Sequence, residues 1–94
     1  MMQVLKTTRS YSFTAADTSA HVFAATPARQ VVFQPPSGNT GSVTILGVSG
    51  GTADSAGIVL TKGTISPVFW VNDLSQLAFQ LATANDTVTA LVSL

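Results

Sequence analysis

Five glycines crowd one stretch of this chain, ILGVSGGTADSAGIVLTKGT (residues 45–64): Gly47, Gly50, Gly51, Gly57 and Gly63, with Lys62 beside the last. Glycine-rich loops with a lysine cradle phosphate when backbone amides curl around the anion and a helix opens behind the lysine. The residue order here opposes that chemistry. A phosphate loop reads G-x-x-x-x-G-K-[ST], whereas GIVLTKGT transposes the lysine and the glycine. Both flanks, IVL and ISPVFW, read as strands, and Pro67 opposes a helix. The dinucleotide spacing G-x-G-x-x-G is missing too. The glycines are therefore expected to be strand ends and turns, with Lys62 at a hairpin tip.

Hydrolytic chemistry has few candidates. The single histidine, His21, lies in SAHVFA, and serines and aspartates are plentiful enough to complete a Ser–His–Asp set on paper. The nearest approach to a nucleophile elbow is GVSGG, with only Val48 before Ser49 and no helix after it. Asp17, Asp54, Asp73 and Asp86 are the only carboxylate side chains, and each falls in a separate predicted loop, where a turn-forming role is the default. With no cysteine and one histidine, no zinc site can be assembled, and no D-x-D-x-D calcium loop occurs. The expectation is a chain without catalytic, cofactor-binding or metal-binding residues, hence not an enzyme. Asn85-Asp86-Thr87 matches a glycosylation sequon but reads as a turn. Phe69 and Trp70 raise sugar stacking; the alternative places Phe69 in the core and Trp70 over an edge or interface.

Composition points to contact between proteins. Charged residues are 9% of the chain, balanced four against four, with no glutamate; ordinary domains carry about 25%. Four scattered cations at net charge zero cannot neutralise a phosphate backbone, so nucleic acid is not an expected partner. No apolar run approaches the roughly 20 residues that span a bilayer, so neither is a membrane. Lys6 and Arg9 fall where a secretory signal would have its apolar centre. The expected place of synthesis is the cytoplasm, with use there or within a larger particle. A 94-residue chain holds one core, and one this small without disulfides gains from oligomerisation or a partner.

Period-2 alternation fixes the elements that must carry any site. QLAFQLA sets Leu77, Phe79 and Leu81 on one face. DTVTALVSL sets Val88, Ala90, Val92 and Leu94 together, SVTILGV does so for Val43, Ile45 and Gly47, and TISPVFWVN groups Ile65, Pro67, Phe69 and Val71 against Val68 and Trp70. QPPSGNTG (34–41) and SGGTADSAG (49–57) read as loops, TKG (61–63) as a hairpin turn with Gly63 at positive φ, NDLSQL (72–77) as a turn with one 3₁₀ turn, and ATAND (82–86) as the close of the last hairpin. From Arg29 onward about five strands recur every 8–12 residues, the spacing of a small sandwich or barrel. Residues 1–28 are less ordered in pattern, with short strands expected near Tyr11–Thr14 and His21–Ala25. The expected fold is all-β: a small antiparallel β-sandwich or β-barrel of about six to eight short strands, with an N-terminal strand or arm segment (1–28) on a core of 29–94.

From Arg29 onward the order of residues resembles small virion proteins of tailed bacteriophages, of the capsid decoration or cement type. The residues that carry the resemblance are Asn39, Thr40, Gly41 and Gly47 in RQVVFQPPSGNTGSVTILG; Ser55, Gly57, Ile58, Leu60 and Gly63 in SAGIVLTKGTIS; and Asp73, Leu74, Ser75 and Leu77 in NDLSQLAFQLATANDTVTALV. The match covers about two-thirds of the chain, and residues 1–28 have no counterpart. The resemblance implies a structural virion protein, made in the host cytoplasm, that binds the outside of a capsid and stabilises it. It further implies the major capsid protein as partner and a homo-oligomer, trimer or dimer. A tail, neck or fibre position and a small carbohydrate-binding module are the alternatives. Tyr11, Phe13, His21 and Trp70 are the expected interface residues.

Overall fold

The computed structural model describes residues 8–94. Its strands are β1 (Thr8–Thr14), β2 (Ala20–Val22), β3 (Gln30–Gln34), β4 (Val43–Ser49), β5 (Thr52–Leu60), β6 (Phe69–Trp70), β7 (Leu77–Leu81) and β8 (Thr87–Ser93), with one 3₁₀ turn at Leu74–Gln76. They build two four-stranded antiparallel sheets, ordered β1-β8-β3-β6 and β2-β7-β4-β5. The expected all-β fold is thus a sandwich, with two separate sheets in place of a closed barrel. Only β4 and β5 are both consecutive and paired; every other connection changes sheet, the alternation of an eight-stranded jelly roll.

Alternation explains which face each strand buries. The inner face of the first sheet carries Val31 and Phe33 from β3 with Val88, Ala90 and Val92 from β8; the second supplies Val43, Ile45, Leu60, Leu77, Phe79 and Leu81. All five phenylalanines meet between the sheets. Phe23 stands edge-on to Phe13 (centroids 4.7 Å apart) and stacks on Phe33 (5.3 Å), with Phe79 at 4.9 Å; Phe33 in turn meets Phe69 edge-on at 5.6 Å. Offset and edge-to-face pairs add roughly 0.5–1.5 kcal/mol each beyond area burial. In a chain without disulfides, this cluster is what clamps one sheet to the other.

Several connections differ from the sequence expectation, each for a physical reason. SGGTADSAG is mostly strand: Gly50 (φ 60°) and Gly51 (φ 82°) form a two-residue turn between Ser49 and Thr52, and β5 begins at once. Gly47 and Gly57 lie inside strands rather than at their ends. An ideal Cβ on Gly57 would sit 2.2 Å from the Ile45 carbonyl oxygen, so close backbone approach requires glycine there. The Gly63 turn (φ 79°) and the ATAND turn do not close hairpins, because each carries the chain from the second sheet to the first. TISPVFWVN shrinks to β6. Pro67 has no N–H to give a ladder, and the Ser66 side chain takes over: its Oγ accepts from Phe33 N–H (2.8 Å) while Ser66 N–H donates to the Phe33 carbonyl (2.8 Å). This bulge slips the alternation, so Ser66 is buried and Ile65 exposed while Phe69 still points inward.

The N-terminal residues are part of the body as far as they are described. β1 pairs along β8 from Thr8↔Ser93 to Thr14↔Thr87, and β2 pairs with β7, so each forms an edge of one sheet. Residues 1–7 of the expected strand or arm segment lie outside the described residues.

Candidate functional site

Of the positions on which the sequence resemblance rests, Asn39, Thr40, Gly41, Gly63 and Asp73 are devices of loop construction, whereas Gly47, Ser55, Gly57, Ile58, Leu60 and Leu77 lie in strands. Asn39 is buried and copies a β-ladder with its amide: Nδ2 donates to the Thr87 carbonyl (2.6 Å) and Oδ1 accepts from Thr87 N–H (3.0 Å). The Asp86 carboxylate, also buried, accepts from Thr40 N–H (3.0 Å) and Gly41 N–H (2.8 Å). A Cβ on Gly41 would lie 2.6 Å from Thr83 Oγ1, so glycine lets the two loops touch. Residues 39–41 and 86–87 are therefore one latch across the end of the sandwich. At the other end Asp73 caps the 3₁₀ turn, accepting from Ser75 N–H (2.9 Å) and from Thr26 N–H (3.0 Å), while Gln76 Oε1 reaches back to Asn72 N–H (2.6 Å). Gly63 joins the crossover to β3 through its N–H to the Pro35 carbonyl (2.6 Å).

The hydrogen bonds from Ser75 and then from Thr26 hold the Asp73 carboxyl below the usual carboxylate range. Asp17 is held low as well, first by the Ser19 hydroxyl and then by His21. Both groups are depressed in the folded state, so the stability they contribute is present above the ordinary carboxylate pKa and lost as pH falls through the folded value.

Asp17, Ser19 and His21 are the one described place where the residue types of a hydrolytic triad meet. His21 Nε2 lies 2.7 Å from Asp17 Oδ1 and 3.4 Å from Ser19 Oγ, and Ser19 Oγ donates to the same Asp17 oxygen at 2.8 Å. A proton relay needs the carboxylate on one ring nitrogen and the hydroxyl on the other. Here both crowd Nε2, and the hydroxyl proton goes to Asp17. The imidazole stacks on Phe79, 5.5 Å away, at the edge of the core, so this cluster ties the β1–β2 connection down. Among the described residues no three His, Asp or Glu side chains gather closely enough to hold a metal ion.

Tyr11 and Phe13 also face inward: both are half-buried against the core. Trp70 alone of the expected interface residues stands open, 72% exposed at the end of β6. The register shows what surrounds it. The outer face of the first sheet runs in rows across the strands: Thr8, Ser93, Gln30 and Trp70; then Ser10, Leu91 and Val32; then Ser12, Thr89 and Gln34; then Thr14 and Thr87. No residue in these rows is charged. Ile65, Val68 and Leu91 are exposed with Trp70, and Ile65 borders a shallow groove of about 240 Å³ with Ser10, Val32, Gln34, Thr89 and Leu91. Beside Trp70, Arg29, Val71, Asn72 and Gln76 border a second open cleft of about 290 Å³. Sequence alternation sets Trp70 and Val68 opposite Phe69 but groups Ile65 with Phe69, which the structure corrects; that Leu91 and Val32 share a face with Trp70 depends on β3 pairing with both β6 and β8, which no local pattern reveals.

A Bacillus endospore appendage protein shares this fold. That solved structure, described as belonging to "a novel family of disulfide-linked pili", superposes with a TM-score of 0.56 at 22% identity, over 94% of this chain and 86% of its own. At that identity the likeness is one of fold. The 94 residues contain no cysteine, so the disulfide links named for those pili have no counterpart in them. No protein-family model and no curated protein matches the chain. Among the described residues no helix is long and apolar enough to cross a membrane.

Proposed function

We propose that this protein is a structural subunit that docks on a larger protein assembly through the outer face of its first sheet, and that the assembly is a phage capsid, which it decorates and stabilises. The observation that carries the reading is the outer face whose rows hold no charged residue and that presents Trp70, Ile65 and Leu91 among serine, threonine and glutamine, with Arg29 at its margin beside Trp70. Interface centres are depleted in charge and enriched in aromatic residues, with tryptophan a frequent hot spot. The resemblance of residues 29–94 to decoration proteins supplies the capsid as partner, and a tail or neck position would use the same face. Many copies on one particle turn a modest contact into strong retention.

The test uses shells that lack the protein. Wild type should bind them and raise their melting temperature; Leu91→Arg, which puts a charge in the centre of the face, should do neither while keeping its own fold. Absence of binding by wild type would refute the capsid reading.

The fold of the spore-appendage protein favours a second reading, a filament subunit. Electron microscopy of the concentrated protein separates the two, since a filament subunit assembles without shells.

A further inference from the structure

Trp70 is the only tryptophan of the chain, and it borders the open cleft of about 290 Å³ whose other described walls are Arg29, Val71, Asn72 and Gln76. Val71 is half-buried and packs against the core, which ties the cleft to the sandwich. The backbone that carries these walls is bonded at each step. Val71 N–H donates to the Arg29 carbonyl (2.9 Å), Asn72 N–H and Asp73 N–H donate to Gln76 Oε1 (2.6 and 3.3 Å), and Leu74 N–H donates to the Thr26 carbonyl (2.9 Å). Gln76 is thus held by its oxygen, with Nε2 left to donate. The Asn72 amide and the Arg29 guanidinium, both on exposed residues, have no hydrogen-bond partner among the described residues. A cleft built in advance loses little freedom when a ligand enters.

We propose that this cleft binds a pyranose saccharide, with one ring packed on the Trp70 indole and its hydroxyls bonded to the Asn72 amide, Gln76 Nε2 and the Arg29 guanidinium. The lining selects that class. An apolar molecule would strand the amide and guanidinium groups that it covered. A phosphate or sulfate needs free backbone amides or clustered cations, whereas the amides of residues 71–74 are spent and Arg29 is the only cation in the described lining. An added peptide strand needs an edge, and β6 offers two residues shortly after Pro67. What fits is a flat apolar face for the indole, rimmed by groups that both donate and accept. A pyranose has this form: its C–H face packs on an aromatic ring, and its hydroxyls suit an amide with one acceptor and two donors. The cleft lies at the small end of ligand sites, about 300–1,000 Å³, so it takes one ring while the rest of a longer glycan runs past. This binding goes beyond docking on an assembly and shares only Trp70 with the rows of the outer face.

Trp70 reports on its own cleft, since no other tryptophan contributes emission. The free protein is titrated with tetrasaccharides of glucose, mannose, galactose, N-acetylglucosamine and a uronic acid. At least one should shift the emission with a Kd of about 1 mM or tighter. Asn72→Ala and Arg29→Gln remove side-chain groups that the fold does not bond, so both should melt as wild type does and raise that Kd roughly fivefold. Trp70→Ala, followed by calorimetry because the reporter is gone, should abolish binding. No emission change with any of the five up to about 10 mM overturns the proposal. So does a Kd that neither Asn72→Ala nor Arg29→Gln moves, which would mean contact with an exposed indole alone, and so does binding that survives Trp70→Ala. The assay contains no shells, so its failure leaves the docking reading standing.

Discussion

Asp86 and Asn39 hold together two loops that are 46 and 48 residues apart in sequence from the groups they bind. Each side chain stands in for backbone: the amide continues a ladder past Thr87, and the carboxylate accepts two N–H groups that the turn at Thr40–Gly41 leaves free. Both are buried, so removing either strands donors or acceptors away from water, which costs more than an exposed hydrogen bond would return. Asp86→Ala is expected to lose about 1.5–3 kcal/mol, and Asn39→Ala about 1–2 kcal/mol, both measured by urea denaturation. Because they share one latch, the double variant should lose less than the sum. The contrast with Asp17 is informative. That carboxylate is exposed and serves one local turn, yet in the sequence the two aspartates look alike, each in a Ser/Thr/Asn-rich loop. Burial and a distant partner separate them, and neither is written in the neighbouring residues.

At the scale of elements, period-2 alternation is legible in the strands where no bulge or crossover intervenes. Alternation assigns Leu77, Phe79 and Leu81, and Val43 and Ile45, to the core because a half-buried strand must alternate and nothing else in those segments competes. The 3₁₀ turn after Asp73 follows from the same local logic, since its cap is two residues away. Failures occur where one strand's backbone substitutes for another's side chain. Gly57 looks like a turn glycine but is a strand glycine, needed because β4 passes too close for a Cβ. Gly57→Ala should therefore force the strands apart and cost about 1–3 kcal/mol, a fall in Tm of roughly 4–8 °C per kcal/mol for a domain of this size. Gly38→Ala is the control: an added Cβ there meets nothing within 4 Å, and its stability should stay within about 0.5 kcal/mol of wild type. Equal effects at the two positions would mean that the close approach of β4 and β5 carries no energetic weight.

For the molecule as a whole, the jelly-roll order explains why topology was hidden: all but one connection changes sheet, so most strand partners are far apart in sequence. Fold by itself assigns no task, since jelly rolls serve in capsids and lectins alike. The division of the aromatic residues is more telling. The phenylalanines converge between the sheets, whereas Trp70 is left outside, 72% exposed. Phe23, 2% exposed and in contact with Phe13, Phe33 and Phe79, is the joint of that cluster. Phe23→Ala should cost about 3–5 kcal/mol, a large share of the 5–15 kcal/mol that a domain of this kind has in total. Trp70→Ala should leave the Tm of the isolated protein nearly unchanged, because the indole loses few contacts when it is cut back. The same variant should bind shells more weakly than wild type, if the outer face is what docks. Thermal unfolding and shell binding measured on both variants thus separate the aromatic residues that make the fold from the one that the fold presents. A Trp70→Ala protein that melts early, or one that binds shells as well as wild type does, would remove Trp70 from that second role.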